Sequence, residues 1–91
     1  MGQNNKKHIK VTLVWGGTGE SKPANPALEE TAGSVFEDIY KRFKQHPSDQ
    51  DTFEVNDKDF PRSGFGMTVR EVVDAFGEEL VFEVIPPTSG V

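Results

Sequence analysis

Few side chains in this sequence are of the types that perform chemistry. The chain has 91 residues and no cysteine, which excludes disulfides, thiolate metal sites and a cysteine nucleophile. His8 and His46 are far apart in the sequence, so they do not form the closely spaced pair typical of zinc sites. Four acidic residues that are close together in pairs fall in predicted turns, where a solvated charge is the usual state. They are Asp57, Asp59, Glu78 and Glu79. We therefore expect no catalytic residues, no metal site and no cofactor.

A glycine-rich segment, residues 16–22, reads Gly-Gly-Thr-Gly-Glu-Ser-Lys. A phosphate-binding loop needs a Gly-Lys-Ser/Thr order and a helix that begins directly after it. This segment has the wrong order, and Pro23 and Pro26 follow it instead of a helical pattern. We interpret it as a turn whose glycines can accept positive φ.

The C-terminal stretch combines a strand with a short polar end. Residues 80–85 form the most strand-like run of the chain. Pro86 and Pro87 follow, and because proline has no amide N–H to donate to a neighbouring strand, we expect sheet pairing to end at Ile85. The four residues that follow, 88–91, are small and uncharged in their side chains, and we expect them to be flexible. Such a segment is either a reactive terminus or an ordinary chain end.

Composition limits the classes of partner. The formal charge is −5, from 10 basic and 15 acidic residues, which argues against nucleic acid and would suit a partner with a basic groove. No apolar run reaches the ~18 residues of a membrane span, and no signal peptide is recognisable. The lack of cysteine fits the cytoplasm. We expect one domain over residues 8–85, between a flexible N-terminus (1–7) and a flexible tail (86–91).

The first half of the chain predicts a strand and a helix. Residues 8–15 alternate apolar and polar, which is typical of a half-buried strand. Prolines allow only an irregular edge strand after it. Ser34 and Glu37 have capping-box spacing, so we expect a helix over residues 34–46, closed by Pro47. Its apolar residues share one face: Val35, Phe36, Ile39, Tyr40 and Phe43.

The second half predicts a hairpin, a short helix and a last strand. Phe53 and Val55 lie on a short strand, a turn follows, and Phe60 begins a return strand that is cut short. Thr68 and Glu71 repeat the capping-box spacing at the start of a short helix. The apolar first and last strands are expected to be adjacent and central, with the long helix covering one side of the sheet.

Alternation also predicts where a partner could bind. Val14, Val81 and Ile85 fall on the sheet face that points away from the helix. An apolar patch on such a face is typical of a binding surface, whereas scattered apolar residues are common on any protein surface; both interpretations stay open. Trp15 lies on the opposite, buried face, and we interpret it as a core residue.

The order of elements resembles the β-grasp fold of ubiquitin and its relatives over nearly the whole chain. The matching pieces are a first strand (8–15), a grasped helix (34–46), a hairpin (53–60), a capped segment (68–73), a last strand (82–85) and Ser89-Gly90. The resemblance implies an α+β fold: a β-grasp with a mixed four- to five-stranded sheet and one long helix packed on one face.

The family includes conjugated modifiers and sulfur carriers, whose terminal glycine is adenylated by an activating enzyme, and members that only dock. The resemblance implies that Gly90 is the conjugation terminus and that a peptidase removes Val91. The usual Gly-Gly end is Ser89-Gly90 here, which points to a divergent, bacterial-type modifier. Implied partners are activating and conjugating enzymes, the peptidase and a target protein, all bound by a monomer that is not itself an enzyme.

The residues expected to contact these partners combine the sheet face with the tail: Val14, Val81, Ile85, Pro86, Pro87, Thr88 and Ser89. Two alternatives remain. The chain could be a β-grasp interaction module that never conjugates, or a sulfur carrier that ends in a thiocarboxylate.

Overall fold

The computed structural model describes residues 7–87. The elements, in chain order, are β1 (Val11–Trp15), β2 (Glu20–Ala24), α1 (Ala32–Phe43), β3 (Thr52–Val55), β4 (Lys58–Asp59), a 3-10 helix (Arg62–Gly64), α2 (Val69–Phe76) and β5 (Leu80–Ile85). They follow one another in the predicted order. The predictions for Thr88, Ser89, Gly90 and Val91 lie outside the described residues, and the domain limits at residues 8 and 85 stay a prediction.

The five strands form one mixed sheet in the order β2-β1-β5-β3-β4. β1 and β5 pair in parallel, and all the other neighbours are antiparallel. The first and last strands of the domain are therefore adjacent at the centre of the sheet, as predicted. Sheet and helix together confirm the predicted α+β fold.

The core lies between the sheet and α1. Buried and less buried residues alternate along β1 and β5, so that Leu13 and Phe82 point to α1 and are fully buried. All five apolar residues predicted on the helix face are buried. Burial of each such side chain stabilises the fold by roughly 1.5–3 kcal/mol. Trp15 is also buried, at 7 % exposure, which confirms its predicted place in the core.

An aromatic cluster fills the centre of this core. The ring of Phe36, on α1, has four phenylalanine neighbours with centroids 5.0–5.7 Å away. They come from β3, β5 and the segment between β4 and α2: Phe53, Phe82, Phe60 and Phe65. Edge and offset contacts of this kind add to the stabilisation from buried area.

The long helix begins earlier than predicted. Its N-cap is Thr31, whose hydroxyl accepts a hydrogen bond from the Ser34 amide, so the predicted capping box at Ser34 and Glu37 is wrong. The first turn is held from outside the helix, because the Ala32 and Gly33 amides donate to carbonyls of Met67 and Phe65. Thr31 has the extended backbone and side-chain oxygen of an N-cap residue.

The helix also ends earlier than predicted. Lys44 adopts the left-handed conformation (φ 57°, ψ 47°), and its amide donates back to Lys41, which closes the helix after Phe43 and before Pro47. β1 is shorter than expected: its ladder begins at Val11, and His8 makes only an isolated bridge to Ala27. β2 is a regular five-residue strand at the sheet edge, where Pro23 is tolerated.

The β3–β4 turn is built on two residues with positive φ, Asn56 (52°) and Asp57 (68°), a conformation that asparagine and aspartate adopt more readily than most residues. The Asn56 side chain joins the turn to the start of β5: its Nδ2 donates to the Glu79 carbonyl (2.9 Å) and its Oδ1 accepts from the Val81 amide (2.8 Å). The predicted capping box of Thr68 and α2 is confirmed.

A buried carboxylate fixes the loop after α1. Asp51 is 5 % exposed and accepts hydrogen bonds from the Tyr40 hydroxyl and from the Ser48 amide. Tyr40 in turn packs edge-on against Trp15, with ring centroids 6.0 Å apart. Burial raises the pKa of Tyr40, with smaller contributions from its hydrogen bond to Asp51 and from the charge of Asp51. The loop is therefore tied to the core by a polar contact.

Candidate protein-interaction surface

The central strands turn one set of side chains away from α1, and we call this surface the open face. Alternation places the half-buried and exposed residues of β1, β3 and β5 there: Thr12, Val14, Thr52, Glu54, Val81, Glu83 and Ile85. Val81 is 37 % exposed and is the one exposed large apolar residue in the described part of the chain. The three apolar residues predicted to lie on this face do lie on it.

The strand register decides which of these side chains are neighbours. Val14 pairs with Glu83 across the parallel β1–β5 ladder, and Glu54 pairs with the same Glu83 across the antiparallel β3–β5 ladder. Val81 and Ile85 lie two positions before and after Glu83 on β5. Val14 is thus near both of them, but the predicted apolar patch has a carboxylate at its centre.

Three carboxylates meet at this point. One oxygen each from Glu54, Asp57 and Glu83 lies within 4.8 Å of the others. Burial raises the pKa of Glu83, and the charges of Glu54 and Asp57 raise it further. Hard cations bind such oxygen ligands, but exposed acidic groups of this kind also occur without an ion. Sequence reasoning missed this cluster, since its members come from β3, from the β3–β4 turn and from β5.

The C-terminal end of β5 packs against the β1–β2 turn. The Gly16 amide donates to the Val84 carbonyl (2.7 Å). A Cβ on Gly17 would lie 3.2 Å from Cγ of Pro86 and 2.8 Å from Nε1 of Trp15. The two glycines therefore allow the turn to approach Trp15 and the end of β5 closely. β5 ends at Ile85, as predicted from the prolines.

The other candidate residues do not form a site. The glycine-rich segment leads from β1 through a turn into β2, so no helix N-terminus follows it. Among the charged turn residues, Asp57 alone joins a group of ligating side chains in residues 7–87.

On the helix side, an open groove of about 610 Å³ is bordered by Phe53, Phe65 and Arg62. None of the helices in residues 7–87 is long and apolar enough to span a bilayer.

No protein-family model matches the sequence, and no curated protein resembles it significantly in sequence. Solved structures do resemble the fold. Ubiquitin of Caldiarchaeum subterraneum superimposes with a TM-score of 0.67 at 20 % identity, over 92 % of this chain and 99 % of that chain. The ubiquitin-like (UBL) domain of yeast Ddi1 gives a TM-score of 0.71 at 12 % identity, over 98 % and 100 %.

A third likeness is to the ubiquitin-like domain of tubulin-binding cofactor B, with a TM-score of 0.68 at 6 % identity, over 93 % of this chain and 96 % of that chain. These identities are low, so the likeness concerns the fold. The observed architecture is a mixed five-stranded sheet with a parallel central pair and α1 packed across it. The chain therefore has the ubiquitin-like β-grasp fold.

Proposed function

We propose that this protein is a ubiquitin-like modifier that docks on its partners through the open face and is joined to a target protein through Gly90. The observation that carries the proposal is the course of β5. This central strand bears Val81 and Ile85 on the open face and leads directly into Pro86. An enzyme bound to the open face would thus have the beginning of the C-terminal segment beside it.

The proposed chemistry needs enzymes and a target protein from outside the chain. A peptidase hydrolyses the bond between Gly90 and Val91, and an activating enzyme joins the Gly90 carboxylate to AMP with release of pyrophosphate from ATP. A nucleophile, such as a target amine, then displaces AMP and forms an amide. Glycine suits this terminus because a chain without a Cβ can enter a narrow channel.

Further parts of the proposal concern partners and place. The expected partners are the peptidase, activating and conjugating enzymes and a target protein. The net charge of −5 favours proteins over nucleic acid as partners. We propose a cytoplasmic, monomeric protein of bacterial type that has no catalytic activity of its own.

Intact-mass spectrometry of an N-terminally tagged chain, expressed in the cells that it comes from, tests conjugation. We expect the free protein to have lost one valine residue, and a fraction of it to be attached through Gly90 to other proteins. A chain that ends at Gly90 should form the same adducts without the peptidase, and a matched chain that ends at Ser89 should form none. Retention of Val91 together with the absence of any adduct would refute the modifier.

The alternative is an interaction module that docks without conjugation. Ser89-Gly90 in place of Gly-Gly favours it, as does an open face that could bind a partner without any tail chemistry. It predicts that removal of residues 88–91 leaves partner binding intact and that Val14→Asp or Ile85→Asp abolishes binding. A sulfur carrier, the remaining possibility, would show one oxygen replaced by sulfur in the mass of a chain that ends at Gly90.

A further inference from the structure

The open face has an arrangement that restricts the chemistry of its partner. Glu83 lies at its centre, between Val14 on β1 and Glu54 on β3, and Val81 and Ile85 lie above and below it along β5. The surface therefore has apolar side chains beside carboxylates: Glu83 has apolar neighbours on β1 and β5, and Glu54 lies on its other side. An entirely apolar partner would bury these charges without a counter-charge, which is costly.

The carboxylates of the open face take part in no ion pair within the described residues. Across residues 7–87 the ion pairs are Arg42 with Asp38 and Arg70 with Glu29, and neither lies on the open face. Glu54 and Glu83 are directly opposed across β3 and β5, and like charges in this position repel each other. A positive charge supplied from outside would remove this repulsion.

Neither edge of the sheet is suited to pairing with a strand of a partner, so a partner that binds the sheet must use the open face. At one edge, β2 contains Pro23, which lacks an amide donor for a further strand. At the other edge, β4 has only two residues. Both features are those by which sheets avoid strand addition. A partner that binds the sheet is therefore expected to lie across the open face.

We propose that the open face binds a protein segment that places an arginine or lysine against Glu54 and Glu83 and apolar side chains against Val14, Val81 and Ile85. Arginine fits best, because its planar guanidinium can donate to two carboxylates at once and its methylene stem packs on apolar neighbours. The inference rests on the docking role of this face in the proposed function and adds the charge and shape of the partner.

Nuclear magnetic resonance titration of the full chain tests the proposal with two synthetic peptides. One is a 12-residue peptide with a central arginine between leucines, and the other has citrulline, its neutral isostere, in place of the arginine. We expect the arginine peptide to shift amide signals of β1, β3 and β5, with an affinity at least about tenfold above that of the citrulline peptide. Equal affinities, or shifts confined to the helix-side groove, would overturn the proposal.

Variants separate charge from folding. Glu54→Gln combined with Glu83→Gln should weaken the arginine peptide about tenfold or more and leave the citrulline peptide unchanged. Glu37→Gln combined with Asp74→Asn, a matched loss of two charges at exposed positions of α1 and α2, should change neither. A chain with both Glu54→Lys and Glu83→Lys should instead prefer a peptide with a central glutamate, and failure of this charge exchange counts against the assignment.

A divalent cation is the competing occupant of the same carboxylates. Titration with calcium or magnesium chloride should give no saturable shift of the Glu54 and Glu83 amides below millimolar concentration. Tight binding of either metal there would overturn the proposal. The test is independent of conjugation, because the peptides can bind whether or not Gly90 is activated, and adducts can form whether or not the arginine peptide is preferred.

Discussion

The contact between Tyr40 and Asp51 allows one prediction to be worked out in detail. Tyr40→Phe removes the hydroxyl that donates to the buried carboxylate and leaves that carboxylate with the Ser48 amide as its remaining donor among residues 7–87. The ring stays in place against Trp15, so little packing is lost. A hydrogen bond to a charged group contributes about 1.5–3 kcal/mol. We expect the free energy of unfolding to fall by that amount.

The size of this loss is easy to measure in so small a domain. Proteins are stabilised by roughly 0.05–0.15 kcal/mol per residue, or about 5–14 kcal/mol for this chain. Urea unfolding at pH 7, followed by circular dichroism and by the fluorescence of the single tryptophan, gives the difference directly. In a double-mutant cycle with Asp51→Asn, the two changes should not be additive, because they affect the same contact.

The same contact predicts a dependence on pH. Burial and Asp51 raise the pKa of Tyr40, and the positive charge of Arg62 only partly opposes them. The unfolded chain loses the phenolic proton near pH 10, before the folded protein does. Stability from this group is therefore complete below pH ~10 and is lost as the pH rises above it. Tyr40→Phe should lack this loss.

Tyrosinate absorbance checks the pH prediction, because the chain has one tyrosine. In the folded protein the absorbance should rise only well above pH ~10, the ordinary range. Titration at the ordinary pKa, or a loss of less than about 0.5 kcal/mol in Tyr40→Phe, would refute the reasoning, since hydrogen bonds to charged groups contribute more than that.

Three further predictions follow from contacts near the open face and α2. Asn56→Ala removes three side-chain hydrogen bonds at a position with φ 52°, and it should destabilise the fold by about 2–3 kcal/mol in urea unfolding. Asn56→Gly should recover only the part of this loss that comes from the strained backbone conformation of alanine at positive φ. Thr68→Ala removes the N-cap of α2 and should cost about 0.5–2 kcal/mol, measured in the same way. Glu83→Gln relieves repulsion from Glu54 and should stabilise the protein at pH 7 by about 0.2–1 kcal/mol. Because the folded pKa of Glu83 is raised, its contribution to stability is lost as the pH rises above the ordinary glutamate range. Between pH 4 and 7 the free energy of unfolding of Glu83→Gln should therefore vary less with pH than that of the original protein, and an equal variation would contradict this.

Much of the fold could be predicted from the sequence, because local patterns determine it. Alternation along residues 8–15 and 80–85 indicated two half-buried strands, and their apolar composition indicated the centre of the sheet. The 3.6-residue period placed Phe36 and Ile39 on the buried face of α1. Pro86 and Pro87 indicated the end of β5 because they lack the amide donors of a ladder.

The start of α1 could not be predicted in the same way. Ser34 and Glu37 have capping-box spacing, but the helix is capped by Thr31, because acceptors from outside the helix hold its first turn. Those acceptors are carbonyls of Phe65 and Met67, in a distant part of the chain. A contact between such distant segments leaves no periodic signal in the sequence, so tertiary structure decided the boundary.

The charge at the centre of the open face was hidden for a related reason. Alternation assigned Val14, Val81 and Ile85 to one face, but it does not give the register between strands. The pairing of Glu54 with Glu83 depends on how β3 aligns with β5, and Asp57 reaches them through a turn with positive φ. Single-sequence patterns describe each strand alone, and this cluster exists only across strands.

The parallel pairing of β1 with β5 has a consequence for how the sheet forms during synthesis. Val11 pairs with Leu80, almost the full length of the domain away, and β5 joins the β2-β1 and β3-β4 parts of the sheet. During synthesis these parts lack the strand between them until residues 80–85 have left the ribosome, and contacts so distant in sequence form late. A chain truncated before residue 80 would therefore lack the strand that joins the two parts of the sheet, and the open face, which β5 shares with β1 and β3, exists only on chains that contain β5.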